Sequence, residues 1–406
     1  MNFPFLIARK YFWSKDKKNF INIISIISML VVGIATMALV VILSVFNGLE
    51  ELLKDLYGAF DPDIKIESAT GKSFIISDSL INEIENKEGV TAVVKVIEDN
   101  AYLKYENAEM VGVIKGVSGN YLEVNKLDGK ITEGELKLWS GNIPMAVVGQ
   151  GVQFSLAITP GNEFLSLQVY YPKNLRSRSL DPNSALTRRG LQVSGVFAIE
   201  RQFDEKYILV PFEFARELLN YENRVTSLEV ILTPGYGDET IARLKESLGK
   251  RYKVLGADEQ HALMLRTVKI EKLFVFITFA FIIGVSSINI FFALSMLAID
   301  KKQDLNMFFS MGATARQVRA IFLSEGAVIS LSGALFGLIL GYIVCWLQQE
   351  VGLIGMGLQT SVINFYPVKM AWQDFAATSI VIIIITVLAS LRPATMAVKY
   401  GEPAKG

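Results

Sequence analysis

Four long apolar stretches constrain the fold of this chain more than any other feature. They cover approximately residues 20–47, 266–299, 320–347 and 375–392. A helix needs about 20 apolar residues to cross the hydrocarbon core of a bilayer, so each stretch is long enough. The first is too long for the apolar part of a signal peptide, and no small-residue cleavage site follows it. The sequence therefore predicts an α-helical membrane protein with four transmembrane helices.

Composition narrows the classes of function. Of the 406 residues 51% are hydrophobic, and 40 Lys and Arg residues balance 40 Asp and Glu residues, so we expect no nucleic-acid partner. The single cysteine, Cys345, excludes an intrachain disulfide, and the single histidine argues against a histidine-rich metal site. We expect that histidine, His261, at the surface of a long helix that begins near Asp258 and continues into the second stretch.

Basic residues indicate the orientation in the membrane. They cluster before the first stretch, between the second and third, and after the fourth, namely Arg9, Lys10, Lys15, Lys17, Lys18, Lys301, Lys302, Arg316, Arg319, Arg392, Lys399 and Lys405. Loops rich in Lys and Arg stay in the cytoplasm. We therefore predict cytoplasmic segments at 1–19, 300–319 and 393–406, with both termini cytoplasmic. Residues 48–265 and the loop 348–374 then lie on the opposite side.

The segment 48–265 predicts a large α/β domain inserted between transmembrane helices 1 and 2. Strand–helix–strand patterns occur near both of its ends, as in DIKIE, SLINEIENKEG and VTAVVKV, and strand-like runs lie between them. We expect two lobes, one from 48–115 with 205–265 and a second from 116–204. Gly71-Lys72-Ser73 is the end of a phosphate-binding loop pattern, but Ile66 stands where that pattern needs a glycine, so a turn is expected there.

Several segments resemble those of the MacB/FtsX-type ABC permeases, and within that family the lipoprotein-releasing permeases LolC and LolE. The end of the first stretch, VVGIATMALVVILSVFNGLEELL, is similar to their signature. Met311-Gly312-Ala313 resembles the cytoplasmic coupling region of the family, and INFYPVKMAWQD (363–374) the loop before its last span. LRPATMAVKYGEPAKG resembles the carboxy-terminal end of the family.

The resemblance implies a function and a set of partners. It implies the permease subunit of an ABC transporter that extracts lipoproteins from the inner membrane of a diderm bacterium. The implied partners are a cytoplasmic dimer of ABC ATPase subunits, a second permease subunit (the same chain or a paralogue), a periplasmic lipoprotein chaperone and the lipoprotein substrate. ATP and Mg would be bound by the partner ATPase, with no cofactor and no enzymatic site in this chain. An FtsX-like regulator of a periplasmic hydrolase and a MacB-like efflux permease remain alternatives.

The segment 300–319 predicts a short helix, a break and a second helix. An apolar face is expected to include Leu305, Phe308 and Phe309, Gly312 to end the helix, and Thr314 to cap the next one with Gln317 in a capping box. The resemblance implies that a partner ATPase holds this segment. The residues predicted to couple are Asp304, Leu305, Phe308, Phe309, Met311, Gly312 and Ala313. The alternative is an interfacial helix that lies on lipid.

The segment 169–190 predicts a projecting hairpin or loop, since it is basic and carries two prolines between strand-like runs. The resemblance implies a hook that grips the chaperone. Its predicted residues are Tyr171, Pro172, Lys173, Arg176, Arg178 and Pro182. A basic loop without this role is the alternative.

A last group of residues is predicted to serve substrate binding or helix packing. Gly333, Gly337 and Gly341 recur every fourth residue, which lets another helix approach closely, either in this chain or in a partner subunit. Asn289 is a polar side chain deep in the second span, where such groups usually face protein. The whole group comprises Phe46, Asn47, Asn289, Gly333, Gly337, Gly341, Phe365 and Tyr366.

Overall fold

The structure, a computed structural model, describes residues 20–124, 127, 129–162, 164–172, 186–355 and 365–401. The chain forms two compact units. We call Met1–Leu52 with Met264–Gly406 the helical unit, and Leu53–Leu263 the sheet unit. One long helix, α1 (Phe20–Phe60), contributes its first part to the helical unit and its last turns to the sheet unit.

The sheet unit is an α/β fold. Its strands are β1 (Ile64–Ser68), β2 (Phe74–Ile75), β3 (Val90–Tyr105), β4 (Ala108–Val117), β5 (Ile131–Gly134), β6 (Trp139–Ser140), β7 (Ile143–Gly149), β8 (Leu167–Pro172), β9 (Leu186–Phe197), β10 (Tyr207–Pro211), β11 (Arg224–Val225), β12 (Ser227–Leu232) and β13 (Tyr252–Gly256). Its helices are α2 (Asp78–Glu85), α3 (Tyr121–Val124), α4 (Gln150–Leu156), α5 (Arg201–Asp204), α6 (Phe212–Leu219), α7 (Gly237–Leu248) and α8 (Ala257–Gln260). The predicted strand–helix–strand patterns near both ends of this segment are confirmed.

A single large sheet runs through the unit in the order β13-β1-β12-β3-β4-β10-β7-β9-β5. Strand β10 pairs parallel to β4, and β9 pairs parallel to β7, while the neighbouring pairs that include β3 are antiparallel. Strands from both predicted lobes therefore share one hydrogen-bonded sheet. The division into two lobes stays a prediction.

The sheet is buried on both faces. Successive side chains of a strand point to opposite sides, and consecutive residues of β3 follow this rule: Val93 belongs to one buried apolar cluster and Val94 to another. On β10, Ile208 and Leu209 divide between the same two clusters. Continuous apolar runs such as MAVVG are therefore strands covered on both sides rather than membrane segments.

The predicted helix from Asp258 into the second span is interrupted. Helix α8 ends at Gln260, and the next helix begins at Ala262. His261, between them, stacks its ring on Tyr57 at 3.9 Å and brings Nε2 within 2.5 Å of the Asp61 carboxylate. Its side chain is 23% exposed. The expectation that His261 lies on a continuous helix was wrong, while its side chain stays partly exposed and is held by these contacts against the end of α1.

The helical unit contains the first part of α1 and the helices α9 (Ala262–Asp300), α10 (Lys302–Ser310), α11 (Ala315–Val351) and α12 (Trp372–Gly401). In the described part of the chain, α1, α9, α11 and α12 are the helices long and apolar enough to cross a membrane. Small and hydroxyl-bearing residues join α11 to α12: Ser330 Oγ lies 2.5 Å from Thr386 Oγ1. Such contacts are typical of helices packed within a membrane.

Candidate functional site

Three polar side chains meet where three helices of the helical unit come together. Lys272 of α9 places Nζ 3.0 Å from Asp374 Oδ1 and donates to Asn47 Oδ1 of α1 at 2.7 Å. Asn47 Nδ2 in turn donates to Asp374 Oδ2 at 2.7 Å, in the first turn of α12. We call Asn47, Lys272 and Asp374 the polar cluster. Each member contacts the other two, so the cluster ties three membrane helices at one level.

Gly48 follows Asn47 at a point where another segment of the chain lies very close to α1. A methyl group at Gly48 would lie 2.3 Å from the carbonyl oxygen of Pro367, so only glycine lets the segment before α12 lie on α1. That segment is fixed further because the Lys369 amide donates to Ser44 O at 2.9 Å and Asn47 Nδ2 donates to Lys369 O at 3.2 Å. The Asn47-Gly48 motif is therefore a packing site for the 365–371 segment.

The predicted residues Phe46, Phe365 and Tyr366 lie in the same unit with different surroundings. Phe46 is half-buried, whereas Phe365 and Tyr366 are both exposed. The Phe365 ring packs against Gly352, where an added methyl group would lie 2.4 Å from Phe365 Cδ1. The Tyr366 amide donates to Ile354 O at 3.1 Å. Their part in substrate binding stays a prediction.

The glycine stripe of α11 packs against α1 of the same chain. A methyl group at Gly333 would lie 2.4 Å from the carbonyl oxygen of Met29, and one at Gly337 would lie 2.3 Å from that of Gly33. A methyl group at Gly341 would lie 3.2 Å from Val40. Of the two packing alternatives, the structure therefore contains the contact within the chain.

Asn289, which we predict to face protein, is exposed on α9 within this chain. Its neighbours on the same side, Val285, Ile288 and Phe292, are exposed as well. The side chains that α9 buries, such as Ile290 and Leu294, lie on the other side of the helix. Within this chain Asn289 therefore meets no protein among the described residues, this face of α9 is open, and the expectation that Asn289 faces protein stays a prediction.

The predicted short helix, break and restart between the second and third spans are confirmed. Helix α10 ends at Ser310, and Gly312 has φ +90°, a left-handed conformation that suits glycine. Thr314 Oγ1 accepts from the Gln317 amide at 3.3 Å, and Gln317 Oε1 accepts from the Thr314 amide at 2.8 Å. This capping box starts α11.

The apolar face of α10 turns toward its own chain. Leu305 is fully buried, and Phe308 and Phe309 are half-buried against the membrane helices. A methyl group at Gly401, at the end of α12, would lie 2.7 Å from Phe309 Cε2 and 3.0 Å from Leu305 Cβ. The inward position of Leu305 means that it supports α10 and is covered by its own chain.

The opposite face of α10 is open and carries methionines. Met307 and Met311 are 55% and 79% exposed, and Gln303, one turn before Met307, is exposed too. These three residues stand four apart, so they form one stripe along the helix. Of the other predicted coupling residues, Asp304 and Ala313 are half-buried and Gly312 is exposed. Methionine is unbranched and adaptable, which suits a surface that meets a partner.

The two arms of the predicted hairpin pair with each other. Strands β8 and β9 run antiparallel, and their register extends to Pro172 opposite Leu186. Tyr171 donates from its hydroxyl to Asp99 Oδ2 at 2.8 Å, and burial together with this carboxylate raises the pKa of Tyr171 above its usual value. The predicted residues Lys173, Arg176, Arg178 and Pro182 lie outside the described residues.

Two members of the polar cluster were missed by the sequence analysis. Lys272 and Asp374 are opposite charges at the borders of apolar stretches, and this was a usable signal. They are 102 positions apart, so no local pattern indicates that they pair. Glu325 was missed as well and is buried in α11. An acidic residue inside an apolar stretch was the signal there, since such residues are costly in a membrane.

Two protein-family models match the chain. The MacB-like periplasmic core domain matches residues 25–247, more than half of the chain, and the FtsX-like permease C-terminal region matches residues 276–401. This chain belongs to the MacB/FtsX-type permease family. The predicted family is therefore confirmed, and the permease is a membrane protein with several spans, as its four candidate helices indicate.

Curated relatives cover almost the whole permease. It is 25% identical over 396 residues to the lipoprotein-releasing system transmembrane protein LolC of Buchnera aphidicola subsp. Schizaphis graminum, covering 97% of this chain and 96% of that protein. It is 24% identical over 428 residues to the corresponding LolE of Haemophilus influenzae, covering 100% and 99%. LolC of Neisseria meningitidis serogroup B is 23% identical over 418 residues, covering 98% and 97%.

Proposed function

We propose that this permease is the membrane subunit of an ABC transporter that releases lipoproteins from the inner membrane of a diderm bacterium. It would transmit motion from a separate ATPase dimer, which binds ATP and Mg, and pass the lipoprotein to a periplasmic chaperone. The names of its full-length relatives support the substrate class. The observation that carries the mechanism is the seating of α10, whose apolar face is held by its own chain while a stripe of methionines stays open.

The division of α10 into two faces assigns two roles to the coupling segment. Leu305 and Phe309 would fix the helix to the end of α12, so that a push on α10 reaches the membrane helices. Gln303, Met307 and Met311 would meet the ATPase. A push from the ATPase on the open stripe would then reach the membrane helices through the apolar face of α10. For this, α10 need not move relative to the helices that hold it.

The test compares the two faces in the full chain reconstituted with its ATPase partner. Met307→Asp and Met311→Asp should weaken ATPase binding and uncouple hydrolysis from release, because a charge replaces an apolar contact, while the protein stays folded in the membrane. Met307→Leu, which keeps an apolar side chain, is the matched control. Phe308→Asp and Phe309→Asp should instead loosen α10 from the bundle and lower stability as well. Normal transport by Met307→Asp and Met311→Asp would refute the role of the stripe.

We propose that both termini lie in the cytoplasm. This orientation places α10 on the side where a cytoplasmic ATPase can bind it. A reporter fused after Arg319 should read as cytoplasmic, and one fused within 48–265 as periplasmic. The opposite result at either place would overturn the orientation and the coupling role together.

A second permease subunit, identical or paralogous, is proposed to cover the open face of α9. Asn289 is exposed there, and an amide in the middle of a span is more favourable against a polar group of another helix than against lipid. Cysteine pairs at Val285 or Phe292 should cross-link between two permeases. The matched control is Ile290→Cys, which α9 buries within its own chain.

The hairpin 169–190 is proposed to bind the chaperone through its tip. Its arms are paired to Pro172 and Leu186, so removal of Lys173 to Pro182 should leave the sheet intact. That deletion should abolish transfer of released lipoprotein and leave ATP hydrolysis unchanged. Arg176→Glu with Arg178→Glu should slow association in a salt-dependent way. Unchanged binding of the chaperone to the deleted permease would exclude the hook.

A further inference from the structure

A lysine is buried in the middle of the sheet. Lys115 lies on β4, and its Nζ is 2.9 Å from Glu229 Oε1 on β12, with the two side chains 2% and 3% exposed. Replacing a buried ion pair by apolar residues of similar volume is often neutral or stabilising. Stability is therefore a weak reason for a lysine at this point. The other contacts of Lys115 indicate what its charge is for.

Those contacts belong to the last residue of α1. Lys115 Nζ donates to Phe60 O at 3.4 Å and lies over the Phe60 ring, 4.3 Å from its centre. The ring of Tyr121 is 5.6 Å away on a further side. Aromatic faces attract cations, so the two rings and the carboxylate together surround the ammonium group.

The contact with Phe60 O joins a positive charge to a helix end. The last carbonyl groups of a helix lack partners within the helix, and the end carries a partial negative charge. Burial acts to lower the pKa of Lys115, but Glu229, Tyr121 and Glu98 together outweigh it and raise the pKa above the usual value. The lysine therefore remains charged at physiological pH, as a partner for a helix end must.

The rest of the last turn of α1 is held by other side chains of the sheet unit. The Phe60 ring packs against Phe203 at 4.6 Å and Tyr207 at 5.0 Å. Tyr57 stacks on His261 at 3.9 Å. These ring contacts hold the sides of the turn, whereas Lys115 contributes a positive charge at its terminal carbonyl group.

We propose that Lys115, held by Glu229, is the positioning residue that fixes the end of the first membrane helix in the sheet unit. The functional consequence of this contact rests on the proposed function, since a helix that transmits motion must stay fixed at its end. The last turn of α1 and the centre of the sheet then move as one body.

The test uses hydrogen exchange of the full permease, in complex with its ATPase and in lipid nanodiscs. Lys115→Met with Glu229→Leu removes the charge pair while keeping side-chain volume. Amides of residues 57–61 and 63 should exchange on the order of tenfold faster, because the helix end loses its charged partner, while amides of β1 and β12 exchange as before. Lys104→Met with Glu109→Leu removes an exposed pair between β3 and β4 and should leave exchange at 57–61 and 63 unchanged.

Unchanged exchange at 57–61 and 63 in the first double variant would overturn the proposal. If that variant does not fold, Phe60→Leu keeps the carbonyl and the ion pair but removes the ring beneath Lys115. It should still speed exchange at 57–61 and 63 by a smaller factor, and wild-type exchange there would again overturn the proposal.

A second arm measures lipoprotein released per ATP hydrolysed, together with the melting temperature. A positioning role predicts a drop in release per ATP with an unchanged melting temperature, and a merely structural role predicts that the two fall together. If the wild-type permease releases no lipoprotein at all, the proposed transport function fails. The exchange result still decides whether Lys115 fixes the helix end.

Discussion

The two units of this permease use charged groups in different ways. In the sheet unit, Lys115 and Glu229 are 2% and 3% exposed and pair at 2.9 Å. In the helical unit, Lys272 and Asp374 are 26% and 14% exposed and share Asn47 as a third partner. A fully buried charge has no other contact to make when its partner leaves, whereas the members of the polar cluster are partly exposed and can change partners. The first is suited to a fixed joint, and the second to one that opens and closes.

Loss of one partner should distinguish the two most sharply. Glu229→Ala leaves Lys115 buried without its carboxylate and should lower the free energy of unfolding of the sheet unit by about 3–5 kcal/mol. Urea unfolding of the full chain in detergent measures this. Glu109→Ala, which breaks an exposed pair with Lys104, should lose less than about 1 kcal/mol. Similar losses in both variants would remove the distinction between buried and exposed pairs.

A half-buried acid of the sheet unit sharpens the comparison. Asp204 accepts from the Ile199 amide at 2.9 Å, and burial raises its pKa to about 6. Because the folded pKa lies above the unfolded value, the contribution of Asp204 to stability is full below about pH 4 and is lost as the pH rises through 6. Between these values, wild-type stability should fall relative to Asp204→Asn by at most about 3 kcal/mol. A difference that does not vary with pH would contradict this.

The close packing beside the polar cluster can be tested by comparing two glycines of α1, Gly48 and Gly58. Gly48→Ala places a methyl group 2.3 Å from Pro367 O and should destabilise the helical unit by about 1–3 kcal/mol. A methyl group at Gly58 would meet open space among the described residues, so Gly58→Ala should stabilise α1 by up to about 1 kcal/mol. Thermal unfolding of both variants measures the contrast. Equal effects would mean that the close approach at Gly48 is not real.

The smallest expected effect concerns the polar cluster itself. In a double-mutant cycle, Lys272→Met and Asp374→Asn should show a coupling energy of about 1 kcal/mol, since both groups are partly exposed. The coupling should weaken with added salt. A value as large as that expected for the buried pair would indicate that the cluster is a fixed joint as well.

The parts of this permease that the sequence predicts are those encoded locally. Apolar runs and alternation identify the four spans and the strands, and Gly312 with Thr314 and Gln317 identifies the break after α10. The polar cluster was not predictable, because Asn47 and Asp374 are 327 positions apart and only the packing of α1 against the 365–371 segment brings them together. The inward turn of Leu305 was missed for a related reason: periodicity identifies an apolar face but not what covers it.

The pairing of the two arms β8 and β9 has a consequence for how such permeases diversify. In the described residues the ladder between β8 and β9 runs as far as Pro172 opposite Leu186, and within it Arg188 donates from Nε to Gln168 Oε1 at 2.9 Å. Whatever sequence joins the arms beyond that pair inherits a register already set. Selection can therefore change the sequence or the length of 173–185 without disturbing the pairing of β8 with β9. Under the proposed chaperone role, a lineage that acquires a new soluble partner can adapt to it in this segment while the rest of its chain stays unchanged.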